Sequence, residues 1–101
     1  MSEERGFEAR DIDEVVHGPV RLAVMAYLSG AGRASFAELK KRAGVTDGNL
    51  SAHLRKLEDA GYVRIDKSFV DRKPLTTVVL SEEGRAAWIA YLERMRGVLF
   101  G

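Results

Sequence analysis

The chain has 101 residues, one domain's worth, with 46% hydrophobic and 31% charged residues and a net charge of +1. That balance excludes an intrinsically disordered chain and a membrane bundle. The absence of cysteine excludes disulfides, thiolate metal ligands and a cysteine nucleophile. The start, Met1-Ser2-Glu3-Glu4-Arg5-Gly6, is acidic and has no apolar core segment of a signal peptide. No apolar run reaches the ~20 residues that span a bilayer, so a cytoplasmic protein without membrane contact is expected. The small net charge conceals an asymmetry. Residues 1–14 carry six acids against two bases, net −4, and residues 40–75 carry nine bases against five acids, net +4. The basic middle is open to two readings, a solvated face or a polyanion-binding one.

Residues 1–10 are expected to be a flexible acidic lead-in to a single domain over 11–101. A short helix over 11–16 is expected, with Ile12, Val15 and Val16 as its apolar side. Gly18-Pro19 resets the chain, because proline suits a first helical turn. Over 19–28, Val20, Val24, Tyr27 and Leu28 recur at helical spacing, with Leu22, Ala23 and Met25 widening the apolar surface, so this helix is expected at the centre of the domain. Gly30-Ala31-Gly32 ends it.

Ser35 followed by Glu38 makes a capping box for a second helix that turns Phe36, Leu39 and Ala43 inward and stops at Gly44. Val45 plugs the turn, and Thr46 caps a third helix to about residue 60, with Leu50, Leu54 and Leu57 as its apolar stripe. The period then changes to two. Val63, Ile65 and Lys67 alternate with Arg64, Asp66 and Ser68, and a second β-rich run covers 75–80, with the polar turn Asp71-Arg72-Lys73-Pro74 between them. A lone hairpin is unstable in water, so it must lean on the helices as a wing. Ser81 caps a last helix to about residue 99, with Glu82 and Glu83 favourable at its start. The fold class is therefore mainly α with a small β-hairpin wing, a winged helix-turn-helix.

Two short helices joined by Ala43-Gly44-Val45-Thr46 have the length and turn chemistry of a helix-turn-helix. Its second helix must present short polar residues early and bases later, so that the backbone approaches base edges and cations reach phosphates in double-stranded DNA. Asp47, Gly48, Asn49, Ser51 and Ala52 come first and Arg55 and Lys56 follow. Asn49 has the groups to bond adenine N6 and N7, and Thr46 and Ser51 have hydroxyls for phosphate. Asp47 serves either to accept from cytosine N4 or to cap the helix, and the cap is favoured.

Residues 50–63, Leu-Ser-Ala-His-Leu-Arg-Lys-Leu-Glu-Asp-Ala-Gly-Tyr-Val, resemble the recognition helix and first strand of MarR- and ArsR-type winged-helix regulators. The segments Gly18-Pro19-Val20-Arg21-Leu22 and Leu80-Ser81-Glu82-Glu83-Gly84-Arg85 fit the same pattern, so the resemblance runs over residues 12–95. It implies a small stand-alone regulator that binds specific DNA as a dimer. Metal-sensing members use cysteine and histidine, whereas this chain has no Cys and two His, so no metal or other cofactor is expected.

The remaining candidates each have a plain structural alternative. His53 is a half-buried packing residue or a DNA contact, and His17 is a helix-end residue in preference to a ligand. Arg72 and Lys73 at the wing tip, with Lys67 before them, are DNA contacts near a minor groove or a solubilising turn. Lys40, with Lys41 and Arg42, favours the dipole of its own helix or reaches phosphate, and Ser35 stands at the start of that helix. On the last helix Trp88, Tyr91, Leu92, Met95 and Leu99, with Ile89 and Val98 alongside, spread over more than one face. Together with Ile12, Val15 and Val16 they are expected to form a homodimer seam, or else a longer internal packing face. Trp88 and Tyr91 line a seam pocket for a small-molecule effector or are core. The leading function is a dimeric DNA-binding transcription regulator. A winged helix that docks a protein partner is the alternative, kept open by Asp47, Glu58 and Asp59. No nucleophile with a base and no phosphate-binding loop suggests an enzyme.

Overall fold

A computed structural model describes residues 13–101. The chain runs α1 (Pro19–Ala31), β1 (Arg33–Ser35), α2 (Phe36–Ala43), α3 (Asp47–Asp59), β2 (Val63–Val70), β3 (Lys73–Leu80) and α4 (Glu82–Phe100). The three strands form one antiparallel sheet in the order β1-β3-β2. The four helices and the wing hairpin are the winged helix that the sequence predicts.

Side chains set the helix boundaries. At α2 the Ser35 hydroxyl accepts the Glu38 N–H while the Glu38 carboxylate accepts the Ser35 N–H, a complete capping box. The Thr46 hydroxyl accepts the Asn49 N–H at 3.2 Å to open α3, and Ser81 does the same for Gly84 in α4. Gly44 ends α2 at φ 68°, a left-handed conformation that glycine adopts without strain.

The core gathers Val24, Met25 and Leu28 of α1, Leu39 of α2, Leu50, Leu54 and Leu57 of α3, Val63 and Val78 of the sheet and Tyr91 of α4. Val63 pairs with Leu80 and Ile65 with Val78, so the base of the hairpin lies on the helices. From Lys67 to Leu75 every residue is exposed.

Four expectations change. Residues 14–16 form a turn rather than part of a helix. The Asp13 carboxylate accepts the N–H groups of Val15 and Val16 and the Tyr62 hydroxyl, and Pro19 disfavours helical backbone at the residue before it. Strand β1 was not expected. Its three residues are too short for an alternation and exist through pairing with Thr77–Val79 of β3. The wing turn is two residues, Asp71 and Arg72 at φ 53° and 68°, instead of four. Both φ values match the tight hairpin turn whose twist suits the strands. Pro74 is tolerated inside β3 because β1 covers only residues 77–79, leaving one edge open at residue 74.

The fourth correction concerns the seam. Val16 and Tyr91 are buried in the chain's own core and offer no surface to a partner. Tyr91 stacks on Trp88 with ring centroids 5.8 Å apart, and its hydroxyl lies 2.8 Å from His17 Nδ1, so this aromatic pair is core. Burial raises the Tyr91 phenol's pKa above its ordinary value. Val15 is half-buried against the same core, and Ile12 lies outside the described residues, as does the expected lead-in.

Helix α4 meets the body closely at Gly84, where an added β-carbon would overlap the Tyr62 carbonyl oxygen, a backbone atom that cannot swing away. Gly97 in the same helix has open space around it. Gly84→Ala is expected to destabilise the fold by about 3 kcal/mol, the upper end for overpacking. Gly97→Ala is expected to be neutral or stabilising by up to about 1 kcal/mol. Urea unfolding of the two variants checks the contrast.

Candidate nucleic-acid interface

Burial of Leu50, Leu54 and Leu57 fixes which face of α3 meets solvent. At 3.6 residues per turn the line opposite that stripe carries Gly48 and Ala52, then Arg55 and Asp59. The N-terminal half of the exposed face is therefore low and the first cation on it is Arg55. Asp47, Asn49, Ser51 and Lys56 are exposed beside it.

The two flanks differ. On the wing side, α3 and the hairpin enclose a groove of about 460 Å³ lined by Ser51, Arg55, Lys67 and Thr76, with Asp47 and Glu58 among its walls. This groove brings candidates from the third helix and the first wing strand together. On the other flank Lys56 lies in a shallow hollow with Glu14, Arg21 and Asp59, so it does not share a site with Arg55. Asn49 and Thr46 stand at the helix start, and Arg72 and Lys73 stand at the wing tip.

Several candidates already have partners. Thr46, not Asp47, supplies the cap hydrogen bond of α3. Asp47 instead pairs with Lys40 at 2.8 Å, both well exposed, and such a pair is worth at most about 1 kcal/mol. Ser35 is engaged in the capping box. Arg64 grips Asp66 through two hydrogen bonds of 2.9 and 3.1 Å, which hold the Asp66 carboxyl below its ordinary value. The exposed cations of residues 67–75 are Lys67, which lines the groove, and Arg72 and Lys73 at the tip.

Arg21 is a residue whose role the sequence reading missed. It stands on an otherwise apolar helix, and that isolation was the available signal. Its guanidinium donates to the carbonyls of Val15 and Glu14 and to His53 Nδ1 at 2.7 Å. An arginine only donates, so His53 accepts there and carries its proton on Nε2 as a neutral ring. Half-burial, then the charges of Arg21 and Lys56, lower the His53 pKa from 6.5. His53 thus takes the half-buried packing role, joining α3 to α1 and the 14–16 turn. Among the described residues no group of His, Asp or Glu is placed to hold a metal, and no helix is long and apolar enough to cross a membrane.

The family model of the winged helix DNA-binding domain matches residues 20–99. The chain belongs to the winged helix DNA-binding domain family. A curated relative, an uncharacterized protein of Methanocaldococcus jannaschii, is 34% identical over 79 residues, 78% of this chain and 86% of its own. Among solved structures, a transcriptional regulator homologue from Pyrococcus horikoshii is similar at TM-score 0.80 and 32% identity, over 86% of both chains. A protein described as a MarR-family transcriptional regulator, from Enterococcus faecalis, gives TM-score 0.70 and 26% identity over 83% of this chain and 76% of its own. These likenesses make the winged-helix chain a DNA-binding regulator in general class.

The His53 contact has a pH signature. Its pKa is lower in the folded state than the unfolded 6.5, so the folded chain favours the neutral ring. The stabilisation is complete above about pH 6.5 and is lost as pH falls below it. Urea midpoints of the parent are expected to fall between about pH 7.5 and 5.5. His53→Gln, which keeps an acceptor for Arg21 but does not titrate, is expected to show a smaller fall.

Proposed function

We propose that the chain is a homodimeric, sequence-specific DNA-binding transcription regulator that sets α3 in the major groove and the wing, residues 67–75, near the minor groove. The observation that carries this reading is the low, small-residue front of α3 at Gly48, Ser51 and Ala52, followed by Arg55 and flanked by a groove that leads to a projecting basic hairpin. A helix seated in the major groove needs close backbone approach at its N-terminal half and cations further along. Asn49 reads adenine, Thr46, Ser51 and Lys40 hold backbone, and Arg72 lies toward the minor groove, whose negative potential attracts it.

The dimer reading rests on α4. Trp88, Tyr91 and Met95 turn toward the chain's own core. A second stripe, displaced by one residue, leaves Ile89 51%, Leu92 47% and Leu99 66% exposed. Their i, i+3, i+10 spacing puts three exposed apolar side chains on one side of α4, with Arg96 between Leu92 and Leu99, and a two-fold pairing of this side covers the apolar groups of both copies. Asp47 and Glu58 in the groove favour a second reading, in which the same cleft docks a basic segment of a protein partner.

Leu92→Glu is expected to convert a dimer to a monomer in analytical ultracentrifugation while leaving the fold intact. An unchanged mass would remove α4 from the seam. For DNA, Arg55→Ala and Arg72→Ala are each expected to flatten the salt dependence of duplex affinity by about 0.9 in log–log slope, one phosphate contact apiece. If both variants bind as the parent does, the proposed face is wrong.

A further inference from the structure

The wing carries apolar groups that neither the core nor its cations explain. Phe69 is 74% exposed, and Pro74, its partner across the hairpin, is exposed as well. A phenyl ring left in water at a hairpin tip gains nothing for the fold, because burial is what stabilises it.

Strand alternation says which way this rung faces. Side chains two apart on a strand share a face, and directly paired residues share it too. Val63 with Leu80 and Ile65 with Val78 lie on the face that packs against the helices. Lys67 with Thr76 is the next rung on that face, and both residues line the groove against α3. Phe69 with Pro74 is the rung after it. It follows Lys67 outward by about 7 Å at ~3.3 Å per residue. Val70, Lys73 and Leu75 belong to the opposite face. The apolar rung therefore continues the floor of the groove that α3 and the wing form, between Lys67 and the Arg72 turn.

We infer that the Phe69–Pro74 rung is an apolar DNA contact, packing on the deoxyribose edge of the minor groove beyond the groove between α3 and the wing. This rests on the DNA-binding reading above. Charge selects the occupant. Lys67, Arg72 and Lys73 bracket the rung with Asp71 as the sole acid over residues 67–75, net +2, which suits a polyanion. Along a minor-groove wall the duplex offers apolar sugar edges between phosphates, and apolar side chains are used against minor grooves. Cations and phenyl ring then act on different parts of one strand.

The division predicts an unusual signature. A phosphate contact releases counterions and steepens the salt dependence, whereas an apolar contact raises affinity equally at every salt concentration. The test uses the full chain and a labelled duplex of about 30 base pairs, roughly three helical turns, titrated over a range of salt. Phe69→Ser is expected to weaken binding by about tenfold or more, from loss of one buried phenyl, with an unchanged salt slope. Phe69→Leu is expected to recover much of the affinity. Thermal unfolding of both variants is expected to match the parent, since the ring touches no core.

If Phe69→Ser binds as the parent does, the rung is not a DNA contact, although the DNA reading stands. A change in sedimented mass with unaltered DNA affinity would assign the rung to a second copy of the chain and overturn the proposal. Failure of the parent itself to bind duplex would overturn the DNA reading, and this inference with it.

Discussion

Burial of Leu50, Leu54 and Leu57 against α1, α2 and the base of the hairpin is the constraint on which the rest depends. Three leucines at i, i+4 and i+7 fix the rotation of α3 about its own axis, because turning the helix by one residue would place a leucine in water and a polar residue in the core. A leucine lost from such a core typically destabilises by about 2–5 kcal/mol. That rotation decides that Gly48, Ser51, Ala52 and Arg55 face outward together. The same packing holds Val63 and Ile65, and so sets the angle at which the wing leaves the body. Arg21 adds a polar tie on the opposite flank, through His53 and the Val15 carbonyl.

Electrostatics then sorts the basic middle of the chain into two classes. Arg64 is paired with Asp66 on the sheet, and Lys40 is loosely paired with Asp47. Arg55, Lys67, Arg72 and Lys73 remain on the groove and the wing. Lys41 and Arg42 on α2 and Lys56 on the other flank of α3 complete the bases behind the +4 of residues 40–75, which is therefore spread over several faces. Asp47 and Glu58 line the same groove as Arg55 and Lys67, so the charge inside it is mixed, whereas the wing tip carries Arg72 and Lys73 against Asp71 alone.

Most of the fold was legible because the signals were local and repeated. The leucine stripe, the Ser35–Glu38 and Ser81 caps and the switch to period two at Val63 all lie within a few residues. Two features were not legible, each for a physical reason. Strand β1 has three residues and exists through a partner more than forty positions away. The helix expected at 11–16 gave way, over its described part, to a turn held by Asp13 and Tyr62, a contact across 49 positions. Strong hydrogen bonding to Asp13 also pushes the Tyr62 phenol up to about 12.

On the interface side, the apolar pattern of α4 showed that two faces were present but not which residue served which. Tyr91 and Val16 went to the core, and Ile89, Leu92 and Leu99 kept their exposure. A stripe at helical spacing specifies periodicity, whereas the phase of burial depends on what α4 meets in space. His53 shows the same limit: its partner Arg21 lies 32 positions away.

In the proposed function, two copies of the α3 front and wing read a duplex together. The measurement that tests it most directly is selection of bound sequences from a random duplex library, at about 100 mM salt with competitor DNA. An inverted repeat with half-sites about 10 base pairs apart is the predicted result. Enrichment without any repeated motif, or no retention of duplex at all, would contradict it.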